Sequence, residues 1–503
     1  MADVRLAELC AATSLFTDLG TGQPQEHALR TCLAAMRLAD ALDLDEAECQ
    51  SVYYVSLLRF LGCTAGVFEA DFMAGMAPVT MGSAREELTR LVGLVARGEP
   101  LPTRLRSLAR TLADPGAKSR VLGAHCEVAA RLAARMGLPA GVADALRFAY
   151  ARWDGRGVPQ GVSGEQIPVA MRVAIVARDV ELWARDAGAA ATMEMLRARS
   201  GRAYPPQVVD VVLALGVEDL RRCDTAEVWD SVVAGEPPPV HEVDDTQLAE
   251  VLGALGDFAD LKHPLVVGHS RRVARLAAAA GAELGFDVDR VRTLERAGLV
   301  HDVGMVSVPT VGSTADAAWE QVRLHPLWTQ RILVRCRGLS SVADIAGRHH
   351  ERLDGTGYPG GLTAASLGVE AGLLACCVEF AALTSAGADH EALDRDAAAI
   401  ELATLADNGA LARRDVDAVL AAAGMPATKP RALQPAGLTE REVEVLRLLA
   451  HGSTNRQIAA ALWISPKTVG AHIEHIYAKA DVSSRAAATV FAMENDLLAP
   501  RIG

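Results

Sequence analysis

The sequence predicts an all-α protein, and three observations carry that prediction. Aromatic residues make up only 4% of the chain although half of it is hydrophobic, which leaves the interior to Ala, Leu and Val and favours helices. Apolar residues recur at helical spacing: after Ser270, read as a cap, come Val273, Leu276, Ala277, Ala280 and Leu284, and Gly285 closes the run. No alternating apolar–polar stretch of any length suggests a sheet. The main non-helical features are two Asp-Gly loops, whose glycines permit turns other residues cannot make.

At 503 residues the chain exceeds a single core, since domains usually hold roughly 100–200 residues. Two proline-rich stretches read as linkers, Gly235 to Pro239 and Pro426 to Pro435, because proline stiffens a segment and blocks helix. They divide the chain into 1–234, 245–425 and 436–503. The N-terminus carries acids early and lacks the basic start and apolar core of a signal peptide. Apolar stretches such as Ala371 to Val378 fall far short of a membrane span. Nine cysteines without C-x-x-C spacing read as buried thiols in a reducing cytosol. No membrane partner is expected, and the location is expected to be cytoplasmic.

The first two pieces repeat each other. WDGRGVPQG from Trp153 matches LDGTGYPGG from Leu353, His125 matches His325, and Val142-Ala-Asp144 matches Val342-Ala-Asp344. At a longer offset Glu26-His27 matches Gly268-His269, and Ser56 to Phe60 falls where Gly298 to Asp302 falls. The first copy therefore carries extra residues near 63–120, and a duplicated helical domain is the economical reading.

More than half of the thirteen histidines lie between 241 and 350. His263 and His269 precede one helix pattern, His301-Asp302 end an apolar stretch, His325 starts a helix, and His349-His350 lead into the Asp-Gly loop. Imidazoles with a bridging carboxylate suit Zn, Mn or Fe. Two such ions about 3.5–4 Å apart can activate water and clamp a phosphodiester oxygen.

The block HHERLDGTGYPGGL, from His349, resembles the HD-GYP phosphodiesterases, a branch of the HD superfamily, and the resemblance covers about 250–390. It implies an all-helical fold, a two- or three-metal site and hydrolysis of cyclic di-GMP. By position it implies His269, His301, Asp302, His325, His349 and His350 as metal ligands, with Asp302 as bridging carboxylate and catalytic group. Gly357-Tyr358-Pro359 is implied as the loop beside the substrate. Two positions depart from the family. Its HD-x-G-K lysine, which binds substrate phosphate, is Met305 here, and its aspartate ligand is Val378, with Glu379 one position late. The first repeat has Arg178-Asp179, its carboxylate likewise late. The missing aspartate weakens the ion sharing His269 and His301, so one metal rather than two is expected. In the first repeat His27 and His125 survive, but Arg59-Phe60 and Ala149-Tyr150 replace the HD pair and the double histidine. That copy reads as a degenerate structural, sensory or dimerising module.

From Gly437 three helices can be read. Thr439 caps the first, with Glu442 at capping-box spacing. Ser453 or Thr454 caps the second, and Ser465-Pro466 starts the third. This is a helix-turn-helix arrangement. Val469, Ile473 and Ile476 point inward on the third helix, while Lys467, Thr468, Gly470, Ala471, His472 and Lys479 lie nearer its outward side. LTEREVEVLRLLA, TNRQIA and ISPKTV resemble the LuxR-type DNA-binding domain over about 437–498. The resemblance implies Lys467, Thr468 and Val469 in the major groove, with His472 on the same face. Thr454, Asn455, Arg456 and Lys479 are implied at phosphates. It also implies dimers joined by a fourth helix near 484–498.

The formal charge of −13 argues at first against nucleic acid. Residues 430–503, however, hold eight basic against seven acidic residues, so the bulk charge belongs to the repeats. Two functions are expected. One is a bacterial transcription regulator on double-stranded DNA, acting as a homodimer, whose HD-GYP-like region senses a metal or a nucleotide. The alternative is a metal-dependent phosphodiesterase hydrolysing cyclic di-GMP or a related nucleotide.

Overall fold

The computed structural model describes residues 4–62, 116–222, 228–262, 267–308, 315–386, 391–425, 435–462, 465–495 and 497–498. Nearly all its regular structure is helical, as expected; the only strands among the described residues are two-residue pieces. Met1–Ala427 form one unit and Thr428–Gly503 a second.

The first unit begins with β1 (Val4–Arg5), α1 (Leu6–Gly20), α2 (His27–Ala41) and α3 (Glu46–Leu58). Then come α4 (Ala117–Arg135), α5 (Ala140–Leu146), α6 (Val169–Arg199), α7 (Pro206–Leu215), α8 (Val217–Arg221) and α9 (Val228–Ala234). Asp45 starts α3 with a capping box to Glu48, and α2, α3 and α6 pack on one another to form the core of this half. Helix α1 is buried on every side from Leu6 to Asp18, the mark of a helix with no solvent face.

The second half contains β2 (Glu242–Val243), α10 (Asp245–Asp260), α11 (His269–Glu283), α12 (Val288–Val300) and a 3-10 turn, Val303–Ser307. It continues with α13 (Ala315–Leu333), α14 (Ser340–Ala346), α15 (Val369–Leu383), α16 (Arg395–Asp407) and α17 (Arg413–Ala422). Helix α11 is its axis and packs against α10, α12, α15 and α17. Asp244, Asp287 and Asp394 cap α10, α12 and α16, satisfying amides that the first turn leaves orphaned. Ser270 is not the cap of α11. The cap position is Gly268, in the left-handed region, and the Ser270 amide and hydroxyl both donate to Asp260, at 3.2 Å and 2.7 Å. A carboxylate from the preceding helix has taken over the capping role.

The first linker lies inside this unit. β1 pairs antiparallel with β2, Val4 opposite Val243, and buried Glu236 accepts from Arg5 and from the Tyr54 hydroxyl, both at 2.6 Å. Helix α1 packs against the 3-10 turn and α13 of the second half, and Glu8 pairs with Arg337 at 2.6 Å. One apolar core runs through both halves. The second linker, apart from Pro435, lies outside the described residues.

The halves share backbone details at the offsets seen in sequence. A Cβ on Gly62 would lie 1.9 Å from the His125 carbonyl oxygen, and one on Gly304 would lie 2.0 Å from that of His325. The Val158 amide donates to Tyr150 at 2.9 Å, and the Tyr358 amide to His350 at 3.0 Å.

The second unit consists of α18 (Glu440–Ala450), α19 (Asn455–Leu462), α20 (Pro466–Lys479) and α21 (Arg485–Glu494). Thr439 and Glu442 form the capping box foreseen. Thr454, not Ser453, caps α19, exchanging bonds with Gln457. Ser465 caps α20 with Pro466 in its first turn. Val443, Leu446, Leu449, Ile458, Val469, Ile476, Ala488 and Ala492 make the core.

Candidate metal centre

All six histidine and aspartate ligands expected from the sequence meet in the second half, in two sets that share one carboxylate. Asp302, His325, His349 and His350 form one set, and His269, His301 and Asp302 the other; the donor atoms of each lie within 4.8 Å of one another. Asp302 Oδ1 lies 3.1 Å from His325 Nε2 and 3.4 Å from His349 Nε2. Its Oδ2 lies 3.4 Å from His301 Nε2 and 3.9 Å from His269 Nε2.

The backbone sets the tautomers. Nδ1 of His301, His325 and His349 each faces a carbonyl three residues earlier, Gly298, Val322 and Ala346, at 2.9, 2.6 and 2.6 Å. A carbonyl only accepts, so each Nδ1 carries the proton and each Nε2 presents a lone pair inward. The Nε2 atoms of His325 and His349 then face each other at 3.0 Å, a repulsive contact that a shared cation or proton relieves. His301 Nε2 is buried without a hydrogen-bond partner. The donor set therefore fits a divalent metal.

The electrostatics agree. Burial opposes ionisation of Asp302, but the surrounding imidazoles, His301 foremost, hold its carboxyl well below the usual range. Burial pushes His269 and His349 down to about 4, and charge on His301 adds to this. Burial likewise lowers His350, with His349 and His325 contributing. For His301 burial is outweighed by Asp302 and the Gly298 carbonyl, so its pKa is raised.

The loop after His350 is tightly built. Buried Glu351 accepts from the amides of Gly360 and Leu362 at 2.6 and 2.7 Å. Gly357 is required, since a Cβ there would lie 2.3 Å from the Arg352 amide. Tyr358 is laid on the His350 ring, centroids 4.6 Å apart and planes 26° apart, and Pro359 follows through a cis bond.

The departure at Val378 has a structural counterpart. Val378 is buried in α15 and offers no donor. Glu379 joins neither ligand set and instead pairs with Arg352 at 3.4 Å. Sequence reasoning missed Asp260, whose carboxyl is pushed up to about 6 by burial and by the charge of Asp302, against the Ser270 bonds. A signal existed: Asp-Leu stands nine residues before both His27 and His269.

Two regions of the chain match known families. Residues 254–410 match the HD domain family, and residues 436–492 match the family described as bacterial regulatory proteins, luxR family. The chain carries an HD domain and a LuxR-type helix-turn-helix domain. The 3'3'-cGAMP-specific phosphodiesterase 3 of Vibrio cholerae is 28% identical over 376 residues, 71% of this chain and 81% of that protein. A crystal structure of a cyclic GMP-AMP specific phosphodiesterase from V. cholerae shares the fold, with TM-score 0.58 and 22% identity over 84% of this chain and 98% of that one. The Bacillus subtilis transcriptional regulatory protein LiaR is 48% identical over 67 residues, 13% of this chain and 32% of the relative. No described helix is long and apolar enough to cross a membrane.

In the LuxR-type domain, Arg456 and Thr468 are exposed, and His472 is half-buried. Lys467 lies in α20, its side chain outside the described residues. Val469 is fully buried; it anchors α20 to the core and cannot reach a groove, which corrects its expected place among the DNA contacts. The Thr454 hydroxyl is engaged in its cap, Asn455 accepts from Arg485 at 3.3 Å, and Lys479 pairs with buried Glu442 at 2.9 Å.

Proposed function

We propose that this protein is a DNA-binding transcription regulator whose HD domain takes a divalent metal and a nucleotide ligand. One observation carries the ligand half of this reading: a single carboxylate, Asp302, serves two sets of inward-facing imidazoles. The LuxR-type domain supports the regulatory half. Asp302, His325, His349 and His350 would hold one ion, and His269, His301 and Asp302 a second, weaker one for want of a carboxylate at Val378. Iron, manganese and zinc all suit these donors.

A bound divalent ion would supply water activation and neutralisation of a phosphodiester oxygen. The protein's own residues fix the rest. Backbone carbonyls orient the rings, Glu351 pins the loop through the amides of Gly360 and Leu362, and Tyr358 lies on the His350 ring. Met305 brings no charge; the guanidiniums that act on Tyr358 are Arg352, paired with Glu379, and Arg323, paired with Glu320. On the DNA side, Lys467 and Thr468 enter the major groove with His472 beside them, while Thr454, Asn455, Arg456 and Lys479 flank phosphates. A homodimer through α21 presents two such helices. The descent of residues 1–234 from a degenerate copy of the HD domain at 245–425, the two packed as one unit, and the separate LuxR-type domain at 436–503 belong to the same reading.

The second reading, a phosphodiesterase on a cyclic dinucleotide, is favoured by the complete four-residue set around Asp302. The relatives named for cGAMP hydrolysis point the same way.

Elemental analysis of purified protein tests the metal, with at least one ion per chain expected and none under chelation. DNA binding titrated with salt tests the regulator: affinity falls with salt, and less steeply in Lys467→Ala. Absence of any promoter binding by the full chain would sink the regulatory reading. Turnover that vanishes in His301→Ala would establish the enzyme.

A further inference from the structure

Trp319 has no part in the site described above, yet it stands at its edge. It lies on α13, six residues before the ligand His325, and is 53% exposed. It is the only exposed tryptophan among the described residues. Its ring meets the edge of Tyr358 at 5.8 Å and 72°, and Tyr358 is itself stacked on His350. A row of three rings thus leads from the ligand set to solvent. The edgewise contact with Tyr358 leaves much of the indole in solvent, beside a loop that Glu351 fixes in place. One turn further along α13 lies Arg323, whose side chain is 44% exposed, and Arg352, paired with Glu379, also acts on the same tyrosine.

A single exposed apolar side chain is ordinary on a protein surface. Here, however, a half-exposed indole, two guanidiniums that act on Tyr358 and a cluster suited to a phosphate-binding cation gather around one tyrosine. That combination matches a ligand that is anionic at one end and flat and aromatic at the other. We propose that Trp319 is the base-stacking wall of this site and takes a purine ring of a cyclic dinucleotide whose phosphate lies toward Asp302. The inference rests on the nucleotide reading given above. A purine is favoured over a pyrimidine because two fused rings cover more of an indole face than one.

Equilibrium dialysis of the full-length, metal-replete protein against cyclic di-GMP and cyclic di-UMP tests it. Wild type should bind the purine ligand at least about tenfold more tightly, in line with the free energy of base–aromatic stacking. Trp319→Ala should lose about tenfold or more for cyclic di-GMP and much less for cyclic di-UMP, and Trp319→Phe should retain most of the affinity. Metal content measured on the same samples should not change, which separates loss of a wall from loss of the fold. Equal cyclic di-GMP affinity in wild type and Trp319→Ala overturns the subsite and leaves the nucleotide reading standing. If wild type binds neither dinucleotide, the nucleotide reading fails and the subsite fails with it.

Discussion

Helices α3 and α12 end alike in backbone and oppositely in chemistry. After α12 come His301 and Asp302, and their neighbours turn lone pairs toward a common centre. After α3 come Arg59 and Phe60. Arg59 donates twice to the Ala149 carbonyl, at 3.1 and 2.8 Å, and Ala149 stands where the second half has His349. The Phe60 ring has the guanidiniums of Arg59 and Arg178 over it, at 5.0 and 5.3 Å. Arg178, at the place of Val378, pairs with buried Asp179 at 2.7 Å. His27, the counterpart of His269, is lowered by burial and by those arginines. One half has acceptors awaiting a cation. The other carries cations of its own, fixed in the chain. The difference teaches that buried positive charge can be built into the chain, as at Arg59 and Arg178, or left to a cation that inward-facing imidazoles suit.

The largest test of that contrast removes Asp302, the carboxylate both ligand sets need. Asp302→Ala should lose essentially all bound metal, while Arg59→Ala should lose none; elemental analysis of the two variants side by side reads the outcome. Metal retained by Asp302→Ala, or lost in Arg59→Ala, would break the comparison.

Next in size is the fixed cation. Arg178→Ala leaves Asp179 buried beside the Tyr204 hydroxyl, 2.8 Å away, without its paired guanidinium. Breaking a buried pair on one side costs about 3–5 kcal/mol, so the denaturant midpoint should fall clearly with metal content unchanged. A midpoint equal to wild type would mean that the guanidinium is incidental.

Val378→Asp converts the second half toward a full second ion site. A carboxylate there should raise metal from about one tightly held ion per chain toward two, and should destabilise the metal-free protein by stranding a buried charge. Unchanged stoichiometry in a folded variant would place the weakness elsewhere than at Val378.

Much of this contrast could be read from residues alone. His301-Asp302, His349-His350 and the paired Asp-Gly loops carry chemistry at fixed spacings, and Thr439 with Glu442 is a local cap whose partners lie three residues apart. What sequence did not reveal depends on partners distant along the chain. Ser270 looks like a cap until Asp260, ten residues earlier, is found holding it. The linker after Gly235 looks like a free boundary until Glu236 is found bonded to Arg5 and Tyr54, far from it in sequence. Val469 was read both as an inward residue and as a groove contact, and only packing decides between them. Trp319 belongs to no motif; proximity to Tyr358 alone gives it meaning.

The smallest expected effect concerns a feature the halves share. Asp18 accepts from the Ala28 amide at 3.2 Å, as Asp260 does from Ser270, so the helices starting at His27 and His269 each begin on a buried carboxylate. Burial raises the Asp18 pKa well above the usual range, despite the Ala28 and His27 amides and Arg185, and Glu26 adds to the rise. A carboxyl whose pKa is higher in the folded than in the unfolded state stabilises most below the unfolded value, near 3.9. That contribution is lost as pH rises through the folded value. An asparagine in place of Asp18 would keep an acceptor for the amide and would not ionise. Asp18→Asn should therefore match wild type near pH 4 and gain on it as pH rises, by urea denaturation across pH 4 to 8. The same substitution at Asp260 should depart from this pattern when metal is present, because the charge beside Asp302 and His301 then changes with the ion. Parallel pH profiles for the two variants in the presence and absence of chelator would mean that the ligand sets do not communicate with the helix start. Divergence only in the half that holds the imidazole and Asp302 sets would tie the shared cap to those sets.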